Sequence, residues 1–294
     1  MADATDRSLI SAAQLNRHTV TYRVVLTVVI VIFTLIFIGP LYFLFTDGLK
    51  STAEAVQVPP TIVPAHVHPG TYASAWSRVG IGRLLVNTLY YAFGALAFQL
   101  VFDVAAAYSL SRLRPVLGNV IFALMLATLM IPATVLVVPQ YVTVSDLPLL
   151  HLNLIGSPEA IWLPSVANAF NIFLLKRFFD SIPAELLAAA AIDGASPLRT
   201  LRSVVLPISR PIIGVVSIFA LVAVWKDFLW PLLVEYGYNP NRETLNVGIF
   251  EAASTTPQNL VLAASAMAAV PTLVFFLIFQ RNILSGLTAG SLKG

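Results

Sequence analysis

The feature that most constrains this chain is a series of long stretches without a charged residue. The four longest run over residues 24–46, 84–102, 115–145 and 252–280, with 23, 19, 31 and 29 positions. A helix that crosses the hydrocarbon core of a bilayer needs about 20 predominantly apolar residues, so each stretch is long enough for one. Two shorter stretches, 160–175 and 211–225, reach that length when they extend back to Ile155 and forward to Val234.

The composition indicates that lipid rather than water surrounds much of this chain. Hydrophobic residues make up 58% of the 294 positions and charged residues 11%, whereas a soluble domain carries about 25% charged residues. We therefore predict an all-α fold, a polytopic membrane protein with six transmembrane helices. The absence of cysteine excludes disulfides and thiolate metal sites.

The distribution of Lys and Arg predicts the orientation. If the N-terminus is cytoplasmic, 12 of the 17 basic residues lie inside and 4 outside, with Lys226 within a span. Positive charges are retained on the cytoplasmic side, so we expect both termini there. This bias also accounts for the formal net charge of +3 without nucleic-acid binding. The prediction divides the chain into a cytoplasmic N-terminal segment, 1–23, and a transmembrane domain, 24–294.

The longest predicted cytoplasmic connection is an alanine-rich hairpin, residues 178–210. Ser181 and Pro183 are typical of a helix start, and Asp193-Gly194 is typical of a helix stop. Ser196-Pro197 repeats the start signal, which predicts a helix–turn–helix. At about 1.5 Å per residue, the first helix is too short to cross a bilayer. Its apolar face either links two spans or docks into a groove on a partner.

The hairpin resembles the cytoplasmic coupling loop of bacterial ABC importer permeases. That loop has the pattern Glu-Ala-Ala, three residues, then Gly, and in sugar importers it extends to Asp-Gly-Ala and a later Leu-Pro. This chain has Ala189-Ala190, Ile192-Asp193-Gly194-Ala195-Ser196 and Leu206-Pro207 in that register. The family glutamate corresponds to Ala188, and Glu185 lies three residues earlier. One helical turn separates these two positions, so we expect Glu185 to replace the missing acid.

The resemblance covers roughly residues 20–294. Over this range the chain is similar to the second (G-type) permease of maltose-type transporters. Four further segments carry it: 130–132, 168–179, 225–231 and the C-terminal tail, 281–294. The resemblance implies a coupling role for Pro183, Glu185, Ala188, Ala189, Ala190, Asp193, Gly194, Ala195 and Pro207. It also implies that a flexible tail reaches between the ATPases, with Gly286, Leu287, Thr288, Gly290 and Lys293.

By the same resemblance, this chain works in a bacterial plasma (inner) membrane with several partners. They are a second, homologous permease, two cytoplasmic ATPases, an extracellular solute-binding protein and a sugar. A P-loop needs Gly-Lys followed by Ser or Thr, and none of the 4 lysines follows a glycine. The chain is therefore predicted to be a transport subunit and not an enzyme. It has no cofactor of its own, because ATP and Mg would bind to the partner ATPases.

Six residues are candidates for the translocation path: Asn168, Asn171, Trp225, Lys226, Asp227 and Trp230. Ionisable groups within a membrane usually face a cavity, and aromatic rings suit sugar stacking. The alternative roles are an interfacial anchor for residues 225–230 and interhelical hydrogen bonds for the two asparagines. His66 and His68 form only a weak metal signal.

Two other classes of protein compete with the importer interpretation. An ion-gradient-driven secondary transporter calls for buried carboxylates in the spans, and Asp103 and Asp227 lie near predicted span ends. An intramembrane enzyme needs a nucleophile paired with a base, or a metal cluster, within the spans. The sequence offers no such constellation.

Overall fold

The computed structural model describes residues 12–239 and 241–289, and the regular elements of this part are helices. The helices of eight or more residues there are α1 (Ala12–Asp47), α2 (Gly70–Val79), α3 (Ile81–Tyr108), α4 (Gly118–Thr128), α5 (Ala133–Ser145), α6 (Ala169–Ser181), α7 (Ala184–Ile192), α8 (Arg210–Lys226), α9 (Leu245–Ala252) and α10 (Gln258–Ala289). The predicted helical class is confirmed.

Within the described residues, three helices are long and apolar enough to cross a membrane. They are Val20–Asp47, Ile81–Leu113 and Gln258–Ile278. Two bent pairs of helices bring this number to five if each pair forms one crossing. A sixth crossing stays a prediction.

The predicted span over 115–145 consists of two helices rather than one. α4 and α5 meet there at 108°, across a break that follows Thr128. Pro132 precedes α5 with an extended ψ of 129°. Proline has no N–H to donate and disfavours a helical conformation at the preceding Ile131, so the helix cannot continue through this point.

The predicted span over 160–175 is also divided. A short helix, Glu159–Trp162, ends before Pro164, and α6 begins only at Ala169 and continues to Ser181. Ser181 does not cap the next helix as expected. Its hydroxyl donates to the Phe178 carbonyl at 2.7 Å, because it lies in the last turn of α6.

α3 is the central helix of the molecule and contributes to all three described hydrophobic clusters. Its first turn packs with α2, α8, α9 and α10, Tyr91 with α5, and Ala107 with α6 and α8. A close contact in its middle depends on glycine. A Cβ on Gly94 would lie 2.3 Å from the ring of Trp162, so no larger side chain fits without displacing a rigid indole.

α1 differs from α3 in that its side chains from Val20 to Phe37 are exposed. A helix that is apolar on every side and uncovered by protein is suited to lipid, since bilayer chains are as apolar as its own side chains. The predicted first crossing therefore has the surface that a bilayer requires.

The connection after α1 and the connection before α10 are ordered. In the first, Lys50 is buried against Asp47 at 2.5 Å and donates to the Thr61 carbonyl at 2.6 Å. In the second, α9 is packed into the bundle, where the Leu245 N–H donates to the Thr88 hydroxyl at 2.8 Å. Both segments are folded parts of the domain rather than loose loops.

Candidate functional site

The alanine-rich hairpin contains two helical segments joined by a turn. α7 begins after Pro183, which occupies the N-cap, and ends before Gly194, whose φ is +72°. The N–H groups of Gly194 and Ala195 donate to the carbonyls of Ala191 and Ala190 at 3.0 and 2.9 Å. This is a Schellman C-cap, which needs a left-handed residue that glycine adopts without strain.

The second half of the hairpin starts at the predicted signal. Ser196 is the N-cap, and its hydroxyl accepts from the Arg199 N–H at 3.4 Å. A helix over Pro197–Thr200 passes into a π turn, Leu201–Val205, and then into Leu206–Ile208, which contains Pro207. The chain then bends by 82° into α8.

The face of the hairpin away from the bundle is apolar. Leu186, Ile192 and Leu198 are 45%, 87% and 64% exposed. Ala188 and Ala189 are also exposed, as is the Glu185 carboxylate in the first turn of α7. An apolar face of this kind with an acid beside it is suited to a partner groove.

The opposite side of the hairpin is fixed to the end of α3. The Arg112 guanidinium donates to the carbonyl of Phe179 and, at 2.9 Å, to that of Ile182, at the junction of α6 and α7. The Tyr108 hydroxyl donates to the Pro197 carbonyl at 3.0 Å. Tyr108 is the last residue of α3, and Arg112 lies in the π turn Ser109–Leu113 that follows it. Both halves of the hairpin are therefore bonded to the end of α3 and the turn that continues it.

The other end of α6 is also bonded to α3. Asp103 is fully buried, and its carboxylate accepts from the Asn168 N–H at 2.9 Å. The Asn168 side chain in turn caps α6 by accepting from the Asn171 N–H at 3.1 Å. The two asparagines therefore form a helix start, and the structure does not bring them to the other path candidates.

The sequence did not indicate a structural role for Asp103, because this residue was expected near the end of a span. α3 continues beyond the predicted 84–102 segment to Tyr108, which places Asp103 inside the helix. A signal was available: a lone carboxylate in an apolar stretch requires a donor, and a helix N-terminus supplies several.

The remaining path candidates flank a break in the fifth predicted span. α8 ends at Lys226, Asp227 is extended, and a short helix, Leu229–Val234, follows. Asp227 and Trp230 line a cavity of about 300 Å³ on one side of the break. Lys226 and the buried Trp225 line another, of about 500 Å³, on the other side.

The cavity of Asp227 and Trp230 also contains polar groups that the sequence analysis missed. Thr134 and Gln140 of α5 and Ser165 line it. They follow Pro132, Pro139 and Pro164, respectively, in otherwise apolar stretches, and polar residues next to proline breaks were the available signal. The Trp230 indole is fixed, since its Nε1–H donates to the Ala160 carbonyl at 2.9 Å.

The expected tail is only partly described. Gly286, Leu287 and Thr288 belong to α10, which continues to Ala289 beyond the predicted span end at Gln280. The flexibility of the tail at Gly286 stays a prediction. Gly290 and Lys293 lie outside the described residues. In the described part there is no group of three or more metal-binding side chains.

Comparisons with known proteins agree with this architecture. A family model described as a binding-protein-dependent transport system inner membrane component matches residues 100–283. The sn-glycerol-3-phosphate transport system permease protein UgpE of Rhizobium meliloti is 30% identical over 269 residues, which cover 88% of this chain and 93% of that protein. The melibiose/raffinose/stachyose import permease protein MelC of Bacillus subtilis is 30% identical over 257 residues, which cover 87% and 91%.

The fold is also similar to that of a solved structure. A chain of a bacterial ABC transporter involved in the import of the acidic polysaccharide alginate superposes with a TM-score of 0.77 at 23% identity. The alignment covers 90% of this chain and 97% of that one.

The hydrogen bonds that Arg112 donates predict how its replacement changes the stability of the protein. Arg112→Met should lower the free energy of unfolding by about 1–3 kcal/mol, because the Ile182 carbonyl loses its guanidinium donor. Arg112→Lys should recover part of this loss. Thermal unfolding of the purified protein measures the effect, with Arg202→Met, at an exposed arginine of the same hairpin, as the control. Equal midpoints for the Arg112 and Arg202 variants would show that the guanidinium does not hold the hairpin.

Proposed function

Since the chain belongs to the family of binding-protein-dependent transport system inner membrane components, we propose that it forms half of the translocation path for a carbohydrate. In this role the chain is the permease subunit of an ABC importer, and it couples the path to ATP hydrolysis by separate ATPases. The observation that carries the coupling role is the hairpin, which has an exposed apolar face and is bonded to α3 on its other side.

The coupling mechanism follows from this attachment. A partner ATPase that grips Leu186, Ile192 and Leu198 would apply force to a short helix with defined caps at both ends. Short helices move as rigid bodies, so displacement passes to α3 through Arg112 and Tyr108. Because α3 reaches every described cluster of the core, its movement repositions the whole bundle.

The proposed topology has six crossings and both termini in the cytoplasm. Residues 1–23 form the cytoplasmic N-terminal segment, and 24–294 form the transmembrane domain with the hairpin and the tail, 281–294. The fourth crossing consists of Glu159–Trp162 together with α6. The excess of Lys and Arg on the hairpin side supports this orientation.

The assembled importer brings further subunits to the inner membrane. They are a second permease, two ATPases that bind ATP and Mg, and an external binding protein. The family description supports the binding protein, since it names binding-protein-dependent transport. The lack of a Gly-Lys pair supports an ATPase on another polypeptide.

The carbohydrate would pass the cavity of Asp227 and Trp230. An aromatic ring fixed by its own hydrogen bond, next to hydroxyl, amide and carboxylate groups, is suited to a polyhydroxylated solute. Two of the similar proteins are named for transport of sn-glycerol-3-phosphate and for import of melibiose, raffinose and stachyose. An oligosaccharide, a disaccharide or a polyol phosphate therefore fits this proposal.

A secondary transporter is less well supported. Its ion-coupling carboxylate would have to be Asp103 or Asp227. Asp103 already accepts the hydrogen bond that holds the start of α6, and Asp227 accepts from the Trp230 N–H at 3.4 Å. Each acid accepts a hydrogen bond from a backbone N–H, so a coupling ion is not needed to explain its presence in the fold.

The proposed topology predicts which residues a membrane-impermeant maleimide reaches. The chain has no cysteine, so single-cysteine variants can be labelled without background. In right-side-out membrane vesicles, Ser77→Cys on α2 should be labelled directly, whereas Asp193→Cys should be labelled only after permeabilisation. Both positions are exposed, so accessibility within the protein is matched. Direct labelling of Asp193→Cys would place the hairpin outside the cell and reject the coupling role.

Glu185 lies three residues before the position of the family glutamate, Ala188, and its removal should reduce coupling to the ATPase. Glu185→Ala should weaken ATPase binding about two- to fivefold, the range expected for an exposed ion pair, and transport-coupled ATP hydrolysis should fall with it. Adding Ala188→Glu should restore binding, because that position lies one helical turn away on α7. Asp146→Ala, at an exposed acid outside the hairpin, is the control. Unchanged coupling in Glu185→Ala would reject the role of this carboxylate.

A further inference from the structure

A polar cavity of about 460 Å³ lies beside the hairpin, and the transport role does not use it. It is enclosed by the π turn Ser109–Leu113, the start of α4 and the last turns of α6. Arg112 and Arg114 line both this cavity and the space beneath the hairpin. The cavity therefore lies at the same end of the bundle as the hairpin.

The lining of this cavity is cationic. Arg112, Arg114 and Lys176 contribute three positive charges, and Asp180 contributes one negative charge. Lys176 and Asp180 form an ion pair at 2.8 Å, which leaves the two arginines uncompensated within the lining. An anion is the ligand that such a lining favours.

The backbone adds to this preference. α4, of 11 residues, begins at Gly118, and both Gly118 and Asn119 line the cavity. The Gly118 N–H donates to the Pro115 carbonyl at 2.8 Å. The N–H groups that follow it, beginning with that of Asn119, are therefore the ones that can donate to an anion. Arginine side chains and a helix start together are well suited to phosphate oxygens.

The border of the cavity is apolar and uncovered. Val116 is fully exposed, and Leu117 and Leu113 are 62% and 54% exposed. In a membrane protein, exposed apolar residues at the end of a helix lie against acyl chains. A phosphate-binding cavity beside an acyl-chain surface matches a phospholipid rather than a free anion.

We propose that this cavity binds the headgroup of an anionic phospholipid of the inner leaflet. The two arginines and the start of α4 hold the phosphate, and Val116 and Leu117 contact its acyl chains. Basic pockets between transmembrane helices at the cytoplasmic side are typical of such recognition. Arg112 also fixes the hairpin to α3, so the bound lipid braces the joint between the hairpin and the bundle.

The test uses the full chain with its co-purifying subunits in nanodiscs of phosphatidylcholine, with phosphatidylglycerol added in increasing amounts. Phosphatidylglycerol should raise the thermal midpoint of the unmodified protein. Arg114→Gln should weaken its apparent affinity about tenfold, since one charge-assisted hydrogen bond is lost. Arg114 is exposed, and its bond to the Ser111 carbonyl is long, at 3.3 Å, so this variant preserves the fold. Lys176→Gln should act in the same direction.

The matched control is Arg177→Gln, because Arg177 is an exposed neighbour of Lys176 that does not line the cavity. An equal loss in Arg177→Gln would overturn the proposal in favour of general surface attraction. Equal midpoints in both lipids would also overturn it. Inorganic phosphate in pure phosphatidylcholine nanodiscs should have no effect, and a stabilisation that depends on Arg114 there would assign the cavity to a soluble phosphate instead.

Discussion

The clamp that α3 forms on α6 is the interaction on which the rest of this structure depends. The Asp103 carboxylate binds the N-terminus of α6, and the Arg112 guanidinium binds its C-terminal carbonyls. A helix has a partial positive charge at its start and a partial negative charge at its end, so each side chain has the sign that its end of α6 favours. A buried terminal group without such a partner would cost free energy, which makes these bonds a requirement rather than an addition.

The clamp also explains how a hairpin on one face can control a bundle. The residue that closes α6, Arg112, lies at the entrance to α7, and Tyr108 bonds the second half of the hairpin. The apolar face remains free for a partner. We propose that this partner is an ATPase of an ABC importer, and that the bonds from Arg112 and Tyr108 are the route by which its movement reaches the membrane.

Local features of this fold were predictable from the sequence, and long-range features were not. Gly194 and Ser196 act where their chemistry indicates, since a left-handed cap and a hydroxyl N-cap depend on a few adjacent residues. The absence of charge located α1, α3 and α10, but it could not locate the break after Thr128. The clamp was also beyond sequence reasoning, because Asp103 and Asn168 are 65 residues apart. The candidates for the translocation path lie in different places because long-range contacts position them. The two asparagines form a helix start, and Asp227 lines a cavity.

The central claim is that the hairpin and α3 move as one body when the ATPases bind nucleotide. Spin labels on Ile192→Cys and Val101→Cys test it most directly, because both positions are exposed, the first on the hairpin and the second on α3. Pulsed electron resonance on the assembled transporter gives the distance between them with and without ATP. The account predicts the same narrow distance distribution in both states. A distribution that shifts or broadens when ATP is added would contradict it, because the hairpin would then move independently of the helix to which it is bonded.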